Sequence, residues 1–255
     1  MILFRKMLKD EQVKLLTFTV LLSIFAVAQV IFWPTIDKIM PSIVKVIPEQ
    51  LRWIAGGMIS EGFAFYIITQ QFMKLVGMFG SFLAVLLAAS AVTREIEVGT
   101  MEFLLAQPVS RTRVIVEKFF FNAGVLFIPI VMSSMINYPT GLIYNEVLNP
   151  LNLLVTSIFS FFVVLVLYSL TFAIGTFLDE QMHTVSAGLL IAVAMGICAI
   201  FQETKFLSVY GWMDAMKMRD ILNNGYIPML EIAGLTLVSL ALLGFALLRF
   251  RKMNI

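Results

Sequence analysis

Apolar residues run along this chain in blocks of about twenty, separated by short polar interruptions. A bilayer core takes about 20 apolar residues as one helix, so each block predicts a membrane span. Six are expected, at about 15–36, 72–92, 113–136, 151–178, 183–201 and 226–248. The short alternating segments of a transmembrane β-barrel do not occur. The expected class is all-α, a polytopic membrane protein in one domain covering 1–255.

The opening follows a different period. Apolar pairs (Leu3, Phe4 and Met7, Leu8) alternate with polar pairs (Arg5, Lys6 and Lys9, Asp10). That pattern predicts an amphipathic helix lying in the membrane interface with its cations toward phosphates, not a cleavable signal. Trp33 is expected at the end of span one as an interfacial anchor. Residues 37–71, with Pro41, Pro48, Gly56 and Gly57, read as surface-hugging. Ser110 is a good N-cap for the third span, and Pro129 predicts a kink within it. Asn149-Pro150 punctuates the loop before the fourth.

Composition strengthens the membrane reading: 60% of residues are hydrophobic and 13% charged. A net charge of +2 gives no case for nucleic acid. One cysteine (Cys198) and one histidine (His183) leave no disulfide and no zinc site to build from these side chains. Six spans put both termini on one side. With the segment 93–118, that side carries eleven of the 18 Lys and Arg, against seven opposite (Lys38, Lys45, Arg52, Lys74, Lys205, Lys217 and Arg219). The bias favours cytoplasmic termini.

Between spans two and three lies a charged run. Arg94, Glu95, Glu97 and Glu102 give it alternating charge, while Ile96, Phe103, Leu104 and Leu105 give it an apolar side. Gly99 bends it, Thr100 can cap the next turn, and Pro108 ends the second piece. A compact helix–bend–helix follows, of the kind that fits a groove on a partner. Residue types alone favour a solvated loop whose charges maintain topology.

The order of residues separates these readings. Glu95, Gly99, Thr100, Glu102, Leu104, Leu105, Pro108, Val109, Ser110 and Arg111, with Lys118 beyond, resemble the cytosolic coupling segment of bacterial ATP-binding-cassette export permeases of the ABCG-like (type V) architecture. The resemblance implies that 94–108 and the turn Asp179-Glu180 contact a nucleotide-binding ATPase subunit. It also implies short external helices within 202–225, where Tyr210-Gly211-Trp212-Met213-Asp214 is weakly similar to the usual aromatic-rich stretch. No Gly-x-x-x-x-Gly-Lys-[Ser/Thr] loop occurs in this chain. ATP and Mg are therefore expected on that separate subunit, with no cofactor and no catalytic residue on this chain.

Small residues recur every fourth position in span two (Gly80, Ala84, Ala88) and span five (Gly188, Ala192, Gly196). Such ladders allow close helix approach. They read either as packing inside one bundle or, since the resemblance places these spans beside the pathway, as a seam with a second copy or a related permease. Intramembrane polar residues are few: Gln29, Asn122 and Glu231, the last about one turn inside span six. The sixteen Met and 23 Phe suit amphipathic or hydrophobic cargo such as peptides or drugs. The expected function is ATP-driven export across a bacterial plasma membrane. A sensor or immunity subunit that uses the same ATPase without transporting, and an intramembrane enzyme, are the alternatives; paired catalytic groups for the latter are missing.

Overall fold

The computed structural model describes residues 2–44, 46, 52–97, 110–201 and 203–251. Among these, every regular element is helical. The order is α1 (Ile2–Ile43), α2 (Arg52–Ile67), a π-helical segment (Ile68–Gly80), α3 (Ser81–Ala91), α4 (Thr93–Glu97), α5 (Arg111–Met135), α6 (Asn137–Ile143), α7 (Pro150–Gly175), α8 (Gln181–Ile200), 3₁₀ turns at Lys205–Leu207 and Val209–Trp212, α9 (Ala215–Asn224) and α10 (Met229–Arg251). Six stretches are long and apolar enough to cross a membrane: Met7–Ile43, Arg52–Ala91, Thr112–Ile143, Pro150–Gly175, Gln181–Ile200 and Met229–Arg251. We call the end holding Lys9, α4 and Arg251 the tail end, and the opposite end the far end.

α7 is the hub. It carries no charge, so no face of it seeks water, and it packs against α3, α5, α8, α9 and α10. Asn149 caps its start by accepting from the backbone N–H groups of Leu151 and Asn152, and Pro150 occupies the first turn, where its missing N–H costs nothing. Around it the core is aromatic. Phe119 lies within 5.3 Å of both Tyr168 and Phe172 by ring centroid, and all three are buried. Ser110 caps α5 through Arg113 N–H at 3.2 Å, as the sequence predicts, and α5 continues through Pro129.

Several elements differ from the sequence reading. The amphipathic opening is continuous with span one, because α1 runs unbroken from Ile2 to Ile43 with Pro34 and Pro41 inside it. At 1.5 Å per residue it is roughly 60 Å long, twice the depth of a bilayer core. Residues 37–71 are not surface-hugging throughout. The helix from Arg52 breaks at Gly62, whose φ of 63° is accessible to glycine, and Phe63, Phe65, Tyr66 and Ile67 beyond it are buried. Trp33 is buried too, 4.9 Å from the Tyr66 ring, with its indole N–H donating to Glu146 at 2.7 Å. Lys74, counted with the loop, belongs to the second spanning stretch.

A polar network holds α1 to this second stretch. The Gln29 amide donates to Gln71 at 2.8 Å and to Asn137 at 3.0 Å, while Gln71 donates to Ser133 and Ser134. Gln71, both serines and Asn137 are fully buried, so each hydrogen bond replaces water that the bundle excludes. Gln29 therefore joins helices, as the sequence suggests.

Candidate coupling site at the tail end of the bundle

The site grows from the end of span two. α3 stops at Ala91, leaving carbonyls without helical partners. Two side chains of α5 hold this end: Lys118 Nζ donates to the Ala91 carbonyl at 2.9 Å, and Asn122 donates to the Leu87 carbonyl one turn earlier at 3.1 Å. A cation at a helix C-terminus is favoured by the dipole as well as by the bond. Lys118 is only 4% exposed, which gives the lysine of the sequence pattern a physical role. From the other side, buried Ser90 donates to Glu11 of α1 at 3.0 Å, and Lys14 pairs with Glu11 at 2.7 Å.

α4 turns off this anchored end and reaches α8. The buried Thr93 hydroxyl donates to Ala89 and lies 3.1 Å from the buried Thr184 hydroxyl. Gly175, the last residue of α7, makes room for both: a Cβ there would sit 3.3 Å from Thr93 Oγ1 and from Thr184 Cγ2. Glu97 then accepts from the Gln181 backbone N–H at 2.9 Å. Glu180 is the N-cap position of α8 and supplies no side-chain cap, so a carboxylate 84 residues earlier satisfies the orphan N–H. Negative charge suits the positive end of the α8 dipole.

The sequence-predicted residues fall into three groups. Arg94 and Glu97 lie in α4, as does the backbone of Glu95. Asp179 and Glu180 form the exposed turn beside them, and Glu180 lies 3.4 Å from His183. Gly99, Thr100, Glu102, Phe103, Leu104, Leu105 and Pro108 lie outside the described residues. Thr93, Thr184 and Gln181 were missed, since nothing local marks a contact between segments so distant.

A family model for the ABC-2 family transporter protein matches residues 4–254. The chain belongs to this family. Nothing among curated proteins matches it. The ABC-2 chain is thus a multi-pass membrane protein and a transmembrane subunit of an ABC transporter. Among the described residues no group of three or more His, Cys, Asp or Glu could hold a metal ion. The residues that converge here form caps and braces instead, joining α1, α3, α4, α5 and α8.

The ladder residues of this ABC-2 subunit divide by burial. Gly80 packs near Ile130 of α5, and Ala84 and Ala88 are fully buried in the chain's own core. Gly188 is also internal, since a Cβ there would lie 2.8 Å from side chains of Val85 and Thr171. Ala192 is half-buried, and Gly196 has nothing within 4 Å of a Cβ position. Asn122 braces α3, and Glu231 pairs with Lys217 of α9 at 3.4 Å.

Proposed function

We propose that the chain is the permease of a bacterial ATP-binding-cassette exporter of the ABCG-like type V architecture, with both termini in the cytoplasm. Two permeases, identical or related, work with two separate ATPase subunits that hold ATP and Mg. The segment from Arg94 to Pro108, with the turn Asp179-Glu180, docks on the ATPase, and the cargo is amphipathic or hydrophobic. One observation carries this reading: the first piece of that segment is fastened to the start of α8 by Glu97–Gln181 and Thr93–Thr184. A push on α4 is then a push on span five, and Lys118 keeps span two from yielding separately. Gly188, against Val85 of span two, marks the close packing that lets spans two and five move as one piece beside the pathway.

The test is co-expression with a nucleotide-binding subunit. Glu97→Lys puts a cation at the positive end of α8, a reversal costing roughly 0.3–1 kcal/mol at a surface terminus. The complex should still co-purify, with probe-stimulated ATP hydrolysis and vesicle uptake of a fluorescent amphipathic peptide down at least severalfold. Glu97→Gln, which keeps an acceptor oxygen, should retain most activity. Wild-type coupling in Glu97→Lys, or failure to recover any ATPase with the native chain, overturns the proposal.

A further inference from the structure

Lys74 is a charge within a spanning stretch, and it points outward. It lies on the π-helical segment with its side chain exposed, and its ammonium donates to Gln70 at 3.0 Å. Leu75 beside it packs on Leu22 and Ala26 of α1. At 1.5 Å per residue, that level is about 10–16 Å from Trp33 and about 12–18 Å from Lys14 along α1. A lone cation at such depth costs about 2.5–3.5 kcal/mol on insertion scales, and residues of this kind face pathways or partners. A long π segment is itself rare, and π geometry recurs at functional sites.

No acid of the described chain answers this charge. Glu61 pairs with Arg219, Glu231 with Lys217 and Asp214 with Lys205, while Glu146 accepts from Trp33. Among the described residues none pairs with Lys74. A two-fold related copy laid against this face would bring a second Lys74 toward the first, which like charges oppose. The face therefore fits an anion better than it fits itself.

Its remaining residues describe the rest of the ligand. Met78, 67% exposed, and Phe82, 40% exposed, follow Lys74 at four-residue spacing, and Gln70 precedes it. The strip is flanked by α1, through Phe25–Phe79 and Phe18–Phe82 ring contacts, and by the 3₁₀ turn whose Tyr210 hydroxyl donates to Ser81 at 2.7 Å. A cation and an amide at one end, with adaptable apolar surface at the other, complement an anionic amphiphile.

We infer that Lys74 and Gln70 bind the carboxylate, phosphate or sulfate group of an amphipathic cargo whose apolar body lies along Met78 and Phe82. This rests on the export reading and adds the charge class of the cargo. The membrane subunit is reconstituted in phosphatidylcholine nanodiscs and titrated with dansyl-undecanoic acid and with its methyl ester. Lys74→Met should weaken binding of the acid about tenfold, the scale of one charge-assisted hydrogen bond. Lys74→Arg should stay within a few-fold of wild type, and ester binding should not change. Lys74→Met removes a charge from a span, so it should fold at least as well, which its melting temperature checks.

Equal affinity of wild type and Lys74→Met for the acid, or no binding of the acid to the wild type, overturns the inference. So does Lys74-dependent binding of phosphatidylglycerol that dansyl-undecanoic acid in excess does not displace, since the site would then belong to a lipid headgroup. Binding to the isolated subunit involves no ATPase. A failure here alongside intact coupling in the Glu97 experiment sinks the charge assignment alone.

Discussion

At the scale of single residues, space decides as much as chemistry. Gly188 and Gly196 sit eight residues apart on α8 and look equivalent in the chain. Yet a Cβ at 188 meets Val85 and Thr171 at 2.8 Å, whereas one at 196 meets nothing within 4 Å. Gly188→Leu should destabilise the subunit by roughly 1–3 kcal/mol through overpacking, while Gly196→Leu should stay within about 0.5 kcal/mol. Thermal unfolding in detergent checks the pair, and equal melting temperatures would contradict the packing of α3, α7 and α8 described above. Glu97 makes the companion point about charge. Its value lies in the bare N–H of Gln181, not in the polarity of its own segment.

At the scale of elements, α9 shows how a short helix is made to stay. Asp214 caps it by accepting from Met216 N–H at 2.9 Å, and Gly225 closes it in the left-handed conformation at φ 70°. Asn152 of α7 donates to Leu222, which docks the helix on the hub. Burial pushes the Asp214 carboxyl up, but Lys205 and the backbone N–H groups of Met216 and Lys217 together outweigh it and hold it below the ordinary range. A carboxyl lowered by folding stabilises fully above its unfolded value of about 3.9 and loses that contribution as pH falls through the folded value. Acid titration of Trp212 fluorescence, with Trp33 and Trp53 replaced by Phe, should therefore show a transition below about pH 4 that Asp214→Asn lacks. The same transition in both proteins would mean that another group loosens the turn.

At the scale of the whole molecule, the proposed orientation rests on the distribution of cations along the chain. The sequence puts eleven of the 18 Lys and Arg with the termini and the 93–118 segment, against seven opposite. That excess supports the proposed cytoplasmic termini. A fluorescent protein fused after Ile255 should fold and fluoresce, and alkaline phosphatase inserted beside Asn145 should be active outside. The opposite pair of signals would invert the proposed topology and remove α4 from the reach of a cytoplasmic ATPase.

Much of this protein was legible as a string. Block length fixed the helical membrane class and the six spans, because hydrocarbon thickness leaves little freedom. The ordered run from Glu95 to Lys118 pointed to the family that the chain proves to belong to. What a string could not carry was which side of each span faces inward. Lipid tails are as apolar as leucine, so a core-facing and a lipid-facing residue look alike, and pattern alone cannot orient a helix. Only the fold turned Gly80, Ala84 and Ala88 into the core and left Lys74 outside it. Only the fold brought Glu97 to the N-terminus of α8, because a cap borrowed from a distant helix leaves no mark in the residues around either partner.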